Sequence, residues 1–244
     1  VLDERRKRYL DAMGVPLYVR RAPEAAGVAD APAVRPAPVP DGDISRGEDL
    51  YPDDVANLGW EALKALKARV TGCTACELHR GRQNTVFGVG NEGADLMVVG
   101  EAPGADEDRQ GEPFVGRAGQ LLNAMLRAIG FERGDVYIAN ILKCRPPANR
   151  NPVAAEVACC LPFLVRQIEL VQPRLILSVG GVSAHNLLET EEPVGRLRGR
   201  MHPFGPARIP VVVTYHPAYL LRKPAEKAKA WQDLLAARRR LDAK

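Results

Sequence analysis

From Ala94 onward, short apolar runs alternate with segments of helical period. Leu96-Met97-Val98-Val99 predicts a buried strand, and Gly100-Glu101-Ala102-Pro103-Gly104 the turn that ends it. Leu121, Leu122, Met125, Leu126 and Ile129 then fall on one helical face, with Gly130 as the stop. Val136 to Ala139 predicts a second strand, and Pro152 to Leu170 a second helix with Val157, Leu161, Leu164 and Ile168 inward. Leu175 to Val179 is a third strand, Val182 to Leu188 a short helix, Val211 to Val213 a fourth strand, and Ala225 to Leu241 the closing helix. A short amphipathic helix carrying Leu63, Leu66 and Val70 precedes them all.

Strands joined by crossover helices need a parallel sheet covered on both faces, so the expected fold class is α/β: a three-layer α/β/α domain around a central, mainly parallel four-stranded sheet. Ligands of such sheets bind beyond the carboxyl ends of the strands. The polar residues directly after those ends are Glu101, Asn140 and His216, with Gly180 and Gly181 allowing close approach after the third strand.

The N-terminal part has a different character. Residues 2–13 predict a short basic helix, and residues 22–42 contain seven Ala and five Pro with almost no large apolar side chains. That composition cannot bury a core and predicts a semi-extended linker. Residues 1–21 are therefore read as a basic segment, 22–47 as a Pro/Ala-rich linker and 48–244 as the folded unit. No apolar run approaches the roughly 18 residues that cross a bilayer, and the first eight residues are charged where a signal peptide needs an apolar core. A cytosolic monomer with no membrane partner is expected.

Net charge is +4, yet residues 140–244 carry 17 Lys+Arg against 8 Asp+Glu, a surplus of nine positive charges. A one-sided basic surface suits a polyanionic partner, because each neutralised phosphate releases condensed counterions. The five cysteines are an odd number, which disfavours a secreted disulfide framework. Cys73-x2-Cys76 places two thiolates within reach of one centre, and Cys144 with either Cys159 or Cys160 could supply two more. Four thiolates suit tetrahedral zinc or an iron-sulfur cluster. Cys159 is otherwise read as a small core residue.

Two segments carry most of the remaining signal. Gly100 to Asp108, followed by Pro113-Phe114-Val115-Gly116, is a strand-to-helix turn crowded with carboxylates. Tyr215-His216-Pro217-Ala218-Tyr219-Leu220-Leu221-Arg222 puts a histidine on a Pro-stiffened turn and then two leucines, expected to be exposed, beside Arg222 and Lys223.

With the four-cysteine pattern and Asn140-Ile141-Leu142-Lys143-Cys144-Arg145-Pro146-Pro147, these segments make the chain from about Val70 to Leu241 resemble the family 4 uracil-DNA glycosylases, the iron-sulfur branch of that superfamily. The resemblance implies hydrolysis of the N-glycosidic bond of deoxyuridine in DNA, leaving an abasic site. It implies a 4Fe-4S cluster on Cys73, Cys76, Cys144 and Cys160, and uracil-containing DNA as partner. Phe114 would stack on uracil, with Ala102 beside it, Asn140 would read the N3 and O4 edge, and His216 would donate to O2. Glu101 and Glu107 would be the carboxylates beside the sugar and the water. Leu220 and Leu221 would be the wedge entering the duplex, with Arg222 contacting DNA.

General chemistry agrees with these implied roles. A base must leave the stack before its glycosidic bond can be reached, at a cost of a few kcal/mol. An Asn amide matches uracil and leaves unpaired groups against cytosine. The sequence departs from the superfamily's best-known branch at Ala102, where an Asp activates water there, and it has no His between Arg145 and Pro152, the loop in which a cross-linking relative carries one. His79, His185 and His202 are read as surface or packing residues. Two other readings remain open at this level: a non-catalytic iron-sulfur DNA binder, and a zinc protein acting on nucleotides.

Overall fold

The computed structural model describes residues 59–243. The predicted N-terminal helix and the Pro/Ala-rich linker lie outside the described residues. Chain order runs α1 (Gly59–Thr71), β1 (Val89–Gly90), β2 (Leu96–Gly100), α2 (Ala105–Gln110), α3 (Arg117–Ala128), β3 (Tyr137–Asn140), α4 (Ala154–Val171), β4 (Leu175–Val179), α5 (Gly181–Leu188), α6 (Val194–Leu197), β5 (Met201–Phe204), β6 (Ile209–Thr214), α7 (Pro217–Arg222) and α8 (Lys227–Asp242).

All of β2, β3 and β4 is buried, as strands covered on both faces must be. Their side chains alternate between two cores. Met97 and Val99 point with Ile176, Val211 and Val213 toward α1, α4 and α5, whereas Leu96 and Val98 point with Leu175, Leu177 and Val212 toward α3 and α8. The layers are therefore helix, sheet, helix, as expected.

The strand count is corrected from four to six, in the order β1-β3-β2-β4-β6-β5. The four predicted strands form the parallel centre. The two additional strands are antiparallel edges. Neither could be read from an apolar run: β1 has two residues, and β5 alternates exposed and half-buried positions around Pro203, which lies opposite Pro210. Proline is tolerated at an edge, where no partner needs its missing N–H.

For function, the decisive feature of the register is that Gly100 of β2 lies beside Asn140 of β3. The carboxyl ends of the parallel strands thus finish at one level, with β6 delivering Tyr215 and His216 to the same edge. No helix among the described residues is long and apolar enough to cross a membrane.

Candidate active site

Beyond those strand ends lies a cleft of about 440 Å³, a volume suited to a ligand the size of a nucleoside. Glu101, Ala102, Glu107, Phe114, Asn140, His216 and Arg222 all line it. Three distant segments therefore converge, as the strand-end rule expected.

The floor depends on missing side chains. A Cβ on Gly100 would stand 2.4 Å from Asn140 Oδ1 and 2.6 Å from Phe114 Cζ, so only glycine lets the amide and the ring come together over the end of β2. Phe114 is buried and has a left-handed backbone, φ +54°, which a non-glycine residue adopts only when its surroundings enforce it. Gly119 is part of that enforcement, since a Cβ there would stand 1.8 Å from the Phe114 carbonyl oxygen.

Two charged groups hold the same turn from opposite sides. Glu107 Oε1 accepts the N–H groups of Val115 at 3.1 Å and Gly116 at 3.2 Å, while its Oε2 accepts the N–H of Gly104 at 3.1 Å. Arg133 donates to the carbonyl oxygens of Pro113 at 2.6 Å and Phe114 at 3.3 Å. The turn can double back on α2 because Gly111 ends that helix at φ +76°. Arg133 and Gly119 lie outside every motif of the sequence, and Gly100 reads there only as part of a turn. Their work is to position Phe114, and no spacing rule announces it.

His216 caps α7. Its Nδ1 accepts the N–H of Ala218 at 3.1 Å, so in the neutral ring the proton sits on Nε2. Burial, helped by the Arg222 charge and opposed by Glu107, pushes its pKa down to about 4. The ring is thus a neutral donor at neutral pH. Its centroid lies 5.7 Å from that of Phe114, with the planes tilted by 30°. Gly180, at φ +105°, makes room behind it, because a Cβ there would be 3.1 Å from His216 Cβ.

Asn140 is buried, and its main-chain oxygen accepts a hydrogen bond from Lys143 Nζ at 2.8 Å. Burial raises the Glu101 carboxyl above the ordinary carboxylate range and, unlike Glu107, its carboxylate has no hydrogen-bond or ion-pair partner among the described residues. The rim opposite is the loop of Pro146, Asn149, Arg150 and Asn151, braced by the two-pronged pair of Arg150 with Glu156. That loop and Tyr219 had not been assigned a role from sequence.

One expectation is corrected. Leu220 is 1% exposed and belongs to the core shared with α3 and α8, whereas Leu221 is 37% exposed. The helical turn of α7 separates neighbours by about 100°, so one leucine points in and the other out. A segment of six helical residues is too short to display the period that would tell the two leucines apart in sequence.

On the α4 face, Cys73, Cys76, Cys144, Cys159 and Cys160 line a single small chamber with His79, Arg82 and Lys143. Arg82 donates to Cys144 Sγ at 3.1 Å, and the Lys143 backbone N–H donates to Cys160 Sγ at 3.1 Å. Burial pushes the thiols of Cys76, Cys144 and Cys160 upward, the last to about 12. Thiols so disfavoured as anions become thiolates only around a cationic centre. Among the described residues no three such donors close on a single ion. Cys73, Cys76, Cys144 and Cys160, the four that the family resemblance implies as ligands, all line this one chamber. Cys159 is half-buried and lines this chamber, which corrects its reading as a core residue. His185 and His202 bond main-chain oxygens of Glu192 and Leu197.

Comparison with known proteins points the same way. Residues 87–235 match the Uracil DNA glycosylase superfamily. The chain is similar to the type-4 uracil-DNA glycosylase of Pyrobaculum aerophilum, with 44% identity covering 70% of this chain and 91% of that protein. The type-4 uracil-DNA glycosylase of Archaeoglobus fulgidus is 45% identical over 67% of this chain and 85% of its own length. That of Thermotoga maritima is 41% identical over 69% and 88% respectively.

Proposed function

The chain belongs to the uracil DNA glycosylase superfamily and to its type-4 members, and from that premise we propose how the cleft performs the reaction. The protein is a uracil-DNA glycosylase, an enzyme that hydrolyses an N-glycosyl bond. The convergence of Phe114, Asn140 and His216 in one cleft carries the assignment of residues to roles.

Uracil rotated out of DNA stacks on Phe114. The Asn140 amide accepts from N3–H and donates to O4. Cytosine presents the inverted pattern and leaves buried groups unpaired, a mismatch that can discriminate by about 10⁴-fold. The C1′–N1 bond breaks with its electron pair staying on the base, so negative charge spreads onto O2 and O4. His216 donates its Nε2–H to O2 and remains neutral on the other side, where the Ala218 N–H occupies Nδ1. A neutral donor fixed toward the developing charge stabilises the transition state without a proton transfer.

Glu101 faces the cation-like sugar. Its free carboxylate takes a proton from the water whose oxygen bonds to C1′, and that proton finally reaches the uracil anion. Glu107 cannot share this duty readily, because three backbone N–H groups already occupy it. We assign it the task of fixing the Phe114 turn instead. Leu221 is the side chain available to fill the vacated stack, and Leu220 anchors it from the core. Arg222, at the cleft edge, meets the phosphate backbone.

We further propose that Cys73, Cys76, Cys144 and Cys160 hold a 4Fe-4S cluster. Bound there, it would tie the segment after α1 and the loop after β3 to α4, and hydrolysis would need no electron from it. The test combines two measurements on the full chain: release of free uracil from a uracil-containing oligonucleotide, and iron, sulfide and visible absorption. Uracil release without strand scission, from a brown protein, is expected. DNA binding with no uracil release would leave a non-catalytic binder. Zinc in place of iron and sulfide would overturn the cluster.

A further inference from the structure

Lys143 is 1% exposed and stands between the cleft and the cysteine chamber, which it also lines. Its ammonium donates to the Asn140 main-chain oxygen at 2.8 Å and to Gln167 Oε1 at 2.6 Å. Gln167 is fully engaged in turn, its Nε2 donating to the Phe87 carbonyl at 2.9 Å and to the Tyr137 hydroxyl at 3.1 Å. Both acceptors of the ammonium are neutral. No carboxylate pairs with Lys143 among the described residues. A buried cation without an anion is costly, and proteins retain one only where something compensates it.

The anion is next door. The backbone N–H of the same residue donates to Cys160 Sγ at 3.1 Å, and Cys144 follows directly in the chain. Four thiolates around a 4Fe-4S core leave a net negative charge, in a chamber lined also by Val70, Ala75 and Phe163, where the half-buried Arg82 donates to Cys144 Sγ and Lys143 is the fully buried cation. We propose that Lys143 is the buried counter-ion of that cluster and, through the same ammonium, the positioning residue for Asn140. This rests on the reading of Cys73, Cys76, Cys144 and Cys160 as cluster ligands. It goes beyond that reading by coupling the charge of the cluster to the placement of the amide that reads the base.

A positive charge beside the cluster favours its more negative, reduced form, whichever one-electron couple is used. Lys143→Met removes the charge and keeps the length of the side chain; Lys143→Arg keeps the charge. The midpoint potential, iron and sulfide content, and inhibition by free uracil are measured for both and for the wild type. In Lys143→Met the one-electron equilibrium shifts about tenfold toward the oxidised form, a potential about 59 mV more negative. Free uracil, which meets only the base-binding residues, inhibits that variant about tenfold less well, by analogy with the loss of a hydrogen bond to a charged group. Lys143→Arg stays near the wild-type potential.

An unchanged potential in Lys143→Met overturns the counter-ion, and unchanged inhibition by uracil overturns the positioning role. If Lys143→Met takes up no iron, uptake by Lys143→Arg supports the need for charge. Failure of both variants means that only the shape of lysine matters and overturns the proposal. Wild-type protein without iron and sulfide would instead sink the cluster reading itself.

Discussion

Along the chain only Ile141, Leu142 and Lys143 lie between Asn140 of the cleft and Cys144 of the cysteine chamber, yet the two places are made of opposite materials. The cleft is open, with Glu101, Asn140 and His216 one each at the carboxyl ends of β2, β3 and β6, and with glycines that leave room for the amide and the rings. The chamber is small, with thiols supplied by the end of α1, a loop and α4, all packed into the core of one sheet face. The first is a place prepared for a visitor. The second is a joint between elements, lined by thiols that burial keeps protonated while nothing cationic draws off their protons. Damage to the cleft should therefore remove chemistry and leave the fold, whereas damage to the joint should loosen the fold that carries the chemistry.

The sharpest way to break that contrast is Asn140→Ala. Loss of kcat/KM for uracil release by about 10³-fold is expected, within the range for removing hydrogen bonds made in the transition state, with melting temperature and cluster absorption unchanged. A large fall in melting temperature would mean that the cleft is also structural. Gly119→Ala comes next and should violate the contrast in a foreseeable way, because its methyl group would collide with the Phe114 backbone itself. A cost of about 3 kcal/mol is expected, seen as a melting temperature lower by about 6–12 °C. Uracil release should fall with it.

A pH profile separates Glu101 from His216. In the proposed role Glu101 works as the carboxylate, and burial raises its pKa, so kcat/KM should decline as pH falls through a value above the usual carboxylate range. Glu101→Gln should lose this limb together with most of the rate. His216 stays neutral throughout that decline, since its pKa is about 4. Its sign in stability is distinct: an unfolded histidine binds a proton below about pH 6.5 and the folded one resists, so its stabilising term is complete above that pH and is lost as pH falls toward 4. A flatter melting-temperature profile across that window in His216→Gln would bear this out. The smallest effect belongs to the cleft edge, where Arg222→Gln should reduce the slope of log K against log salt by about 0.9 for duplex DNA.

Much of this was legible in the sequence because the physics is local and repeated. Buried parallel strands need continuous apolar runs, and 96–99, 136–139, 175–179 and 211–213 have them. The strand-end rule then picked Glu101, Asn140 and His216 without reference to any relative. What stayed hidden depends on contacts that only the folded chain makes. Glu107 could be called a carboxylate near the chemistry, but two of its three N–H partners, Val115 and Gly116, are brought to it by the reversal at Gly111. Arg133 reaches Phe114 across 19 positions. Leu220 was misplaced because six residues of α7 are too few to display a period. The edge strands carry no apolar run at all.

The absent side chain at Gly100 has a practical corollary for anyone redesigning base preference. There is less than one methyl group of slack beneath the amide and the aromatic ring, so the floor accepts exchange but no addition. New selectivity would have to be written by swapping Asn140 for another group of equal bulk, or along the 147–151 rim, whose residues are exposed.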